Sequence, residues 1–307
     1  LHTAIHSFPT RRSSDLCSSI AQALGLSRWG TQYQLWERYT GRSEWPQLGS
    51  ELRVALGEPM EDVLRPFVAA RLGRELRRDR REYLHPELPL IGHVDYRASA
   101  LNGEPRPIVD MKTSLGFGAR NRFGTDGTDE VDDDVLLQMQ GYMMMTGADT
   151  AFVAALVPGP ELKIFTVRAD PECHELIKSG ISEFWWHVQN DIAPDPATLD
   201  DAARRWAQSV AGETVTADAD ALEALAELRR LKAEMQGLEK LTQQHELALK
   251  TALGTAEALL GVDGKPLCTW KNQSSTRIDT AAIKAAGLYE TYAKTTSSRV
   301  FRLKGEK

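Results

Sequence analysis

Cysteine is scarce in this 307-residue chain: only Cys17, Cys173 and Cys268 occur, far apart and without CxxC spacing. That excludes a disulfide framework and gives no zinc or iron–sulfur pattern, so a reducing, cytoplasmic setting is expected. Long apolar runs are missing too. None reaches the roughly 18–20 residues that cross a bilayer, and the start lacks the charged-then-apolar order of a secretory signal, so no membrane role is expected. Nor is there an excess of basic charge. Lys and Arg number 37 against 43 Asp and Glu, a formal net charge of −6. This argues against indiscriminate coating of nucleic acid, while leaving room for local basic patches around an acidic site. What is present, 42% hydrophobic and 26% charged residues, suffices for one substantial core with an appendage, or for two modest domains.

The segment His6 to Leu16, HSFPTRRSSDL, reads as the translation of a sequencing-library adapter. Residues 1–16 are therefore expected to be disordered, with native sequence beginning near Cys17. Apolar spacing from Ser18 to Thr40, broken by Gly25 and Gly30, predicts two short helices. A longer helix is predicted from about Pro59 to Leu72, with Met60, Val63, Leu64, Phe67 and Val68 on its buried side and Gly73 past its end. The stretches from Leu90 to Tyr96 and from Pro107 to Lys112, joined by a turn at Asn102-Gly103, read as an antiparallel hairpin. A polar loop from Gly116 to Asp134 leads to a helix over Val135 to Thr146. Strands at Thr150–Val157 and Leu162–Arg168 follow, and then a helix ending before Pro194. A domain boundary is placed at 196. Beyond it, Leu228, Leu231, Met235, Leu238 and Thr242 recur every three or four residues, predicting a coiled-coil-like helical extension. A small basic α+β module is expected to close the chain, with a strand at Leu267 to Lys271, a short helix near Thr280 to Ala286 and a last strand at Arg299 to Lys304.

The residues that could carry chemistry lie on the predicted hairpin. Hydrolysing a phosphodiester calls for divalent cations that neutralise the phosphate and activate water, and hard cations call for carboxylates. The hairpin turn could bring Asp95 near Asp110. Because strand side chains alternate, Asp110 and Lys112 share a face while Met111 points into the core. Asp110 is then a candidate metal ligand, with the Met111 backbone carbonyl as a further one, and Lys112 could orient or deprotonate the attacking water and offset charge on the phosphate. D-x-K alone is weak evidence, since such surface pairs are mostly solvated. Glu61 by itself reads as an acid favoured near a helix start. His93 reads as a packed or solvent-facing strand residue. Trp185, Trp186 and Met143 to Met145 read as packing, and the acidic run Asp132 to Asp134 as a solvated loop without function. The densest basic cluster, Arg71, Arg74, Arg77, Arg78, Arg80 and Arg81, reads as a solvated helix end or a set of phosphate contacts. Arg71, Arg74 and Arg77 are the candidates for DNA binding.

Four blocks in order make these residues more specific: Gly57-Glu-Pro-Met-Glu61, Gly92-His-Val-Asp95, Val109-Asp110-Met-Lys112-Thr113, and Leu137-Gln138-Met-Gln140-Gly-Tyr142 running into Thr146-Gly147. Gly25-Leu26-Ser27-Arg28-Trp29 and Glu183-Phe184-Trp185 add to the pattern. The chain resembles the YqaJ viral recombinase family, related to phage lambda exonuclease, within the PD-(D/E)XK nuclease superfamily. The resemblance covers roughly residues 18–196. It implies an α/β (α+β) restriction-endonuclease-like core, a mixed central sheet flanked by helices, over 17–196, with the helical extension and small module over 197–307. It implies Asp95 and Asp110 as central ligands of Mg2+ or Mn2+, Glu61 assisting metal or water, Lys112 as catalytic lysine, and Gln138 supporting the site with Tyr142 toward DNA. Many relatives carry glutamate where Asp110 stands, a change that shortens reach and keeps the charge. The acidic loop Asp126 to Asp134 is a second departure.

The expected function is a metal-dependent exonuclease, 5′ to 3′ by resemblance, that acts on double-stranded DNA ends and leaves single strands for a phage annealing protein. A phage or prophage origin in a bacterial host and a homo-oligomer are expected on the same ground. Two alternatives stand beside it. One is a RecB-like or Cas4-like repair nuclease, although the cluster-bearing Cas4 type needs four cysteines. The other is a non-catalytic DNA-end-binding scaffold assembled through the Leu228 to Thr242 seam.

Overall fold

The computed structural model describes residues 16–46, 52–101, 103–114 and 122–303. The chain divides into two compact units, the first ending at Ala207 and the second running from Gln208. The boundary thus falls eleven residues beyond the expected 196, after a helix that the first unit holds by side-chain contacts. Within this helix, α7 (Leu199–Arg205), the fully buried Asp201 receives the Thr31 hydroxyl at 2.9 Å, and Arg204 donates to Glu37 at 3.3 Å.

In the first unit the elements run α1 (Ile20–Ala23), α2 (Gln32–Tyr39), α3 (Leu52–Ala55), α4 (Gly57–Leu72), β1 (Leu76–Arg78), β2 (Glu82–Leu84), β3 (Ile91–His93), β4 (Tyr96–Ala98), β5 (Ile108–Thr113), α5 (Asp133–Thr146), β6 (Thr150–Val157), β7 (Glu161–Arg168), α6 (Pro171–Gln189) and α7. Five strands form a mixed sheet in the order β1-β4-β5-β6-β7. Its one parallel pair, β5 with β6, is joined through α5, as a parallel connection requires a crossover. All eight residues of β6 are buried, consistent with a central strand covered on both faces.

Alternation along the strands sorts the core into two layers. On one face Ile108, Ala151, Val153, Phe165 and Val167 pack with residues of α1, α2, α5 and α6. On the other, Leu64 and Val68 of α4 cover Leu76, Tyr96, Val109, Met111 and Ile164. Met111 is buried there, on the side opposite Asp110 and Lys112. The helical stripe expected on α4 is narrower than its apolar residues suggest: Val63 and Phe67 are 55% and 60% exposed, because only the arc through Leu64 and Val68 meets the sheet.

The predicted hairpin forms, with a break. Antiparallel β4 and β5 pair Tyr96 with Val109 and Arg97 with Ile108. The stretch from Leu90 to Tyr96 is not one strand, since β3 leaves the main sheet to pair with β2 and the chain bends at Val94 and Asp95. Asn102 of the expected turn lies outside the described residues, and Gly103 has φ +77°, the left-handed region where glycine is unstrained. Of the adapter-like segment, residues 1–15 also lie outside. Leu16, its last residue, is fully buried in the core beside Cys17 and Ile20, so the expectation of disorder does not hold there.

The second unit contains α8 (Ala219–Leu253), a two-stranded sheet of β8 (Ala258–Leu260) with β9 (Pro266–Thr269), α9 (Thr280–Ala285) and α10 (Tyr289–Tyr292). The 35-residue α8 realises the predicted extension as one helix. Along its seam Leu231, Met235 and Leu238 are 42%, 67% and 64% exposed. The expected last strand is absent over 299–303, and Lys304 lies outside the described residues.

Candidate active site

The β4–β5 register fixes the centre of the site. Extending it by one residue from the Tyr96–Val109 pair sets Asp95, at the bend before β4, opposite Asp110 on β5. The Asp95 carboxylate accepts a hydrogen bond from the Met111 N–H at 2.8 Å, which ties the bend to the neighbouring strand. Asp110 is 2% exposed. Its buried Oδ2 lies 2.9 Å from Lys112 Nζ and receives no well-aligned hydrogen bond among the described residues.

Lys112 in turn donates to Gln138 Oε1 at 2.9 Å, and Gln138 Nε2 donates to the Tyr142 hydroxyl at 3.0 Å. Gln138 and Tyr142 are four residues apart on α5 and so share a helix face. Asp110, Lys112, Gln138 and Tyr142 therefore form one connected chain of polar groups between β5 and α5. Gly92 lets it close: a Cβ there would come within 2.5 Å of Tyr142 Cε1 and 3.0 Å of Met145 Cε.

Glu61 comes from α4. Its Oε2 accepts from Arg78 at 3.0 Å; the same guanidinium lies 3.1 Å from Glu58 and 3.3 Å from the Tyr96 hydroxyl, which donates to Asp62 at 3.0 Å. Glu58, Glu61, Arg78, Asp79, Arg80, His93, Val94 and Asp95 line one cavity of about 530 Å³. Asp79 in that wall is itself saturated, accepting from Arg81 at 2.7–2.8 Å and from the Tyr83 hydroxyl at 2.6 Å. Burial alone would raise the Asp79 carboxyl, but these donors outweigh it and hold the group at about 2.

The electrostatics mark an acidic centre. Burial, then the charge of Asp110, pushes the Asp95 carboxyl well above the ordinary carboxylate range. Burial likewise raises Glu61, with Arg78 opposing and Asp110 reinforcing. Lys112 goes the other way from most enclosed amines. Burial would lower it, but Asp110 and Asp95 together hold its ammonium above the usual lysine value. At neutral pH that nitrogen is a cation and hydrogen-bond donor.

Among the described residues no group of three or more His, Cys, Asp and Glu side chains is gathered tightly enough to hold an ion as it stands. The donors nevertheless fit a hard divalent cation. A buried Asp110 oxygen without an aligned donor, and an Asp95 whose ionisation is opposed by its surroundings, are the groups that a nearby positive charge would relieve.

The candidate DNA-binding arginines point elsewhere in this structure. Arg71 donates to the Leu162 carbonyl and pairs with Asp126, Arg74 binds Glu104 and the Ser99 carbonyl, and Arg77 pairs with Glu75. Three residues near the centre carried no distinguishing sequence signal. Arg78 and Asp79 are embedded in the arginine-rich run, and Arg122 stands in the polar stretch that precedes α5. Arg122 bonds Asp132 at 2.6 Å, and its charge is felt by Lys112.

A family model independently recognises this region. Residues 8–149 match the YqaJ-like viral recombinase domain. That stretch holds Glu61, Asp95, Asp110, Lys112, Gln138 and Tyr142. YqaJ-like domains are nuclease domains. The uncharacterized protein YqaJ of Bacillus subtilis (strain 168) is 25% identical over 295 residues, 92% of this chain and 88% of its own length. Similar solved structures include the alkaline exonuclease of Laribacter hongkongensis, at 12% identity and a TM-score of 0.43 over 57% of this chain and 88% of that one. A phage related exonuclease from Haemophilus somnus 129PT shows 14% identity and a TM-score of 0.44 over 57% and 93%. Among the described residues no helix is long and apolar enough to cross a membrane.

Proposed function

We propose that this protein is a divalent-metal-dependent exonuclease that degrades one strand of double-stranded DNA from its end, 5′ to 3′, in phage-type recombination. The observation that carries the reading is the linked set on β5 and α5, in which buried Asp110, opposite Asp95, faces Lys112 at 2.9 Å and Gln138 locks that lysine from the far side. Its location inside the YqaJ-like domain supports it.

Asp95 and Asp110 would hold Mg2+ or Mn2+, with Glu61 and the Met111 carbonyl as further donors, and the ion would supply charge neutralisation of the phosphodiester and activation of the attacking water. Lys112 donates toward the attacking oxygen or a phosphate oxygen, its positive charge opposing the negative charge that grows in the transition state. Gln138 holds Lys112 in that direction, and Tyr142 holds Gln138, so a fixed dipole chain is ready before DNA arrives. A phage single-strand annealing protein is the partner such a product implies.

Lys112→Ala removes the cation from a half-buried position near the end of β5. Magnesium-dependent loss of end-labelled linear duplex is expected to fall on the order of 10²-fold or more, with DNA binding retained. Wild-type rates in that variant would refute the assignment. Degradation of covalently closed circles would replace the end-dependent reading with an endonuclease one, and absence of any magnesium-dependent strand loss would leave a DNA-end scaffold.

A further inference from the structure

We propose that Arg80 is the residue of this site that grips a backbone phosphate of the bound DNA strand; the inference rests on the nuclease reading above. It comes from sorting the arginine-rich run by partner. Arg71, Arg74, Arg77, Arg78 and Arg81 each have a carboxylate within 3.1 Å. Arg80, by contrast, is exposed and makes no ion pair or hydrogen bond among the described residues. Yet it lines the same cavity as Glu61 and Asp95.

The acids around it are spoken for. Asp79, its chain neighbour, is occupied by Arg81 and Tyr83, with Arg97 a further 3.5 Å away. Glu58 and Glu61 are held by Arg78. Glu82 lies 3.6 Å from His93. With Asp79, Glu58 and Glu61 of the cavity wall held by other partners, the Arg80 guanidinium has its own donors free for an incoming anion. In a phosphodiesterase the anion arriving beside Asp95 is a phosphate of the substrate, which a guanidinium can meet with two parallel hydrogen bonds. Arg78 is not equivalent, because its donors are committed to Glu61, Glu58 and Tyr96.

The test uses the full chain with a fluorescein-labelled duplex, with calcium replacing magnesium so that binding is read without cutting, and anisotropy measured over a range of salt. Arg80→Gln is expected to weaken binding about 5- to 10-fold and to reduce the slope of log K against log salt by about one, the signature of one lost phosphate contact. Arg80→Lys should keep the slope. Arg42→Gln removes the same charge from a residue that pairs with Asp191 and is absent from the cavity wall, and should bind as wild type. In magnesium, Arg80→Gln should raise KM while kcat changes little. An unchanged slope and KM in Arg80→Gln, or an equal loss in Arg42→Gln, overturns the assignment while wild-type cutting leaves the nuclease reading standing. A wild-type protein that neither binds nor cuts the duplex sinks both.

Discussion

At the scale of single residues, the site depends on a side chain that is absent. Gly92 sits under the Tyr142 ring, and Tyr142 is the last member of the chain that orients Lys112 through Gln138. Gly92→Ala forces a methyl group to within 2.5 Å of a ring carbon in a buried setting, so the ring must shift. Overpacking of this kind costs about 1–3 kcal/mol. We expect that loss in urea unfolding, together with a fall in kcat that Gly92→Ala shares with Tyr142→Phe, because both disturb the same hydrogen bond. Unchanged stability and rate would show that the contact has slack. The glycine was visible in the sequence as part of a motif, but its reason was not, since Tyr142 lies fifty residues away.

At the scale of elements, α5 shows how much a helix end can depend on distant residues. Its stop was readable, because Gly147 takes φ +67° immediately past Thr146, where other residues are strained. Its start was read as an idle acidic loop, and this is corrected. Asp132 accepts from the Val135 N–H at 3.1 Å as N-cap, and it also binds Arg28 and Arg122. Asp134 accepts from Ser27 at 2.6 Å. The Ser27-Arg28 segment after α1 is thus clamped to the helix that carries Gln138. Asp132→Ala removes a cap worth about 1 kcal/mol and strips two guanidiniums of a shared partner, for an expected total of about 1–3 kcal/mol. A thermal melt followed by circular dichroism checks this, and a change within ±0.5 kcal/mol would mean that the clamp is decorative. The α4 stripe was legible in the same partial way. Its period was right, while Val63 and Phe67 turned out to lie beyond the arc that the sheet covers.

At the scale of the whole molecule, pH and metal should act together. Asp95 has a carboxyl raised above its ordinary value of 3.8 by burial and by Asp110. A raised carboxyl stabilises the fold below the unfolded value, where it is protonated in both states. That stability is lost between 3.8 and about 8, where the unfolded chain has ionised while the buried group still holds its proton. Magnesium should offset this cost only where the charge is present. The rise in Tm on adding millimolar magnesium is therefore expected to be larger at mildly alkaline than at mildly acidic pH, and to vanish in Asp110→Asn. An equal rise at both pH values would separate metal binding from these carboxylates.

Local chemistry settled part of this protein in advance: the helices α4, α5 and α6 and the strands β5, β6 and β7, that Asp110 and Lys112 share a strand face with Met111 turned away, and that Gln138 and Tyr142 share a helix face. These follow from backbone periodicities of two and 3.6 residues, which a sequence carries in full. Tertiary structure alone decided that Asp95 lies at a bend opposite Asp110, that Arg78 holds Glu61, that Asp132 is a hub, and that Arg80 has no acidic partner among the described residues. Each of those depends on which distant side chain arrives at a given point, and pairing over such separations leaves no periodic trace in the chain.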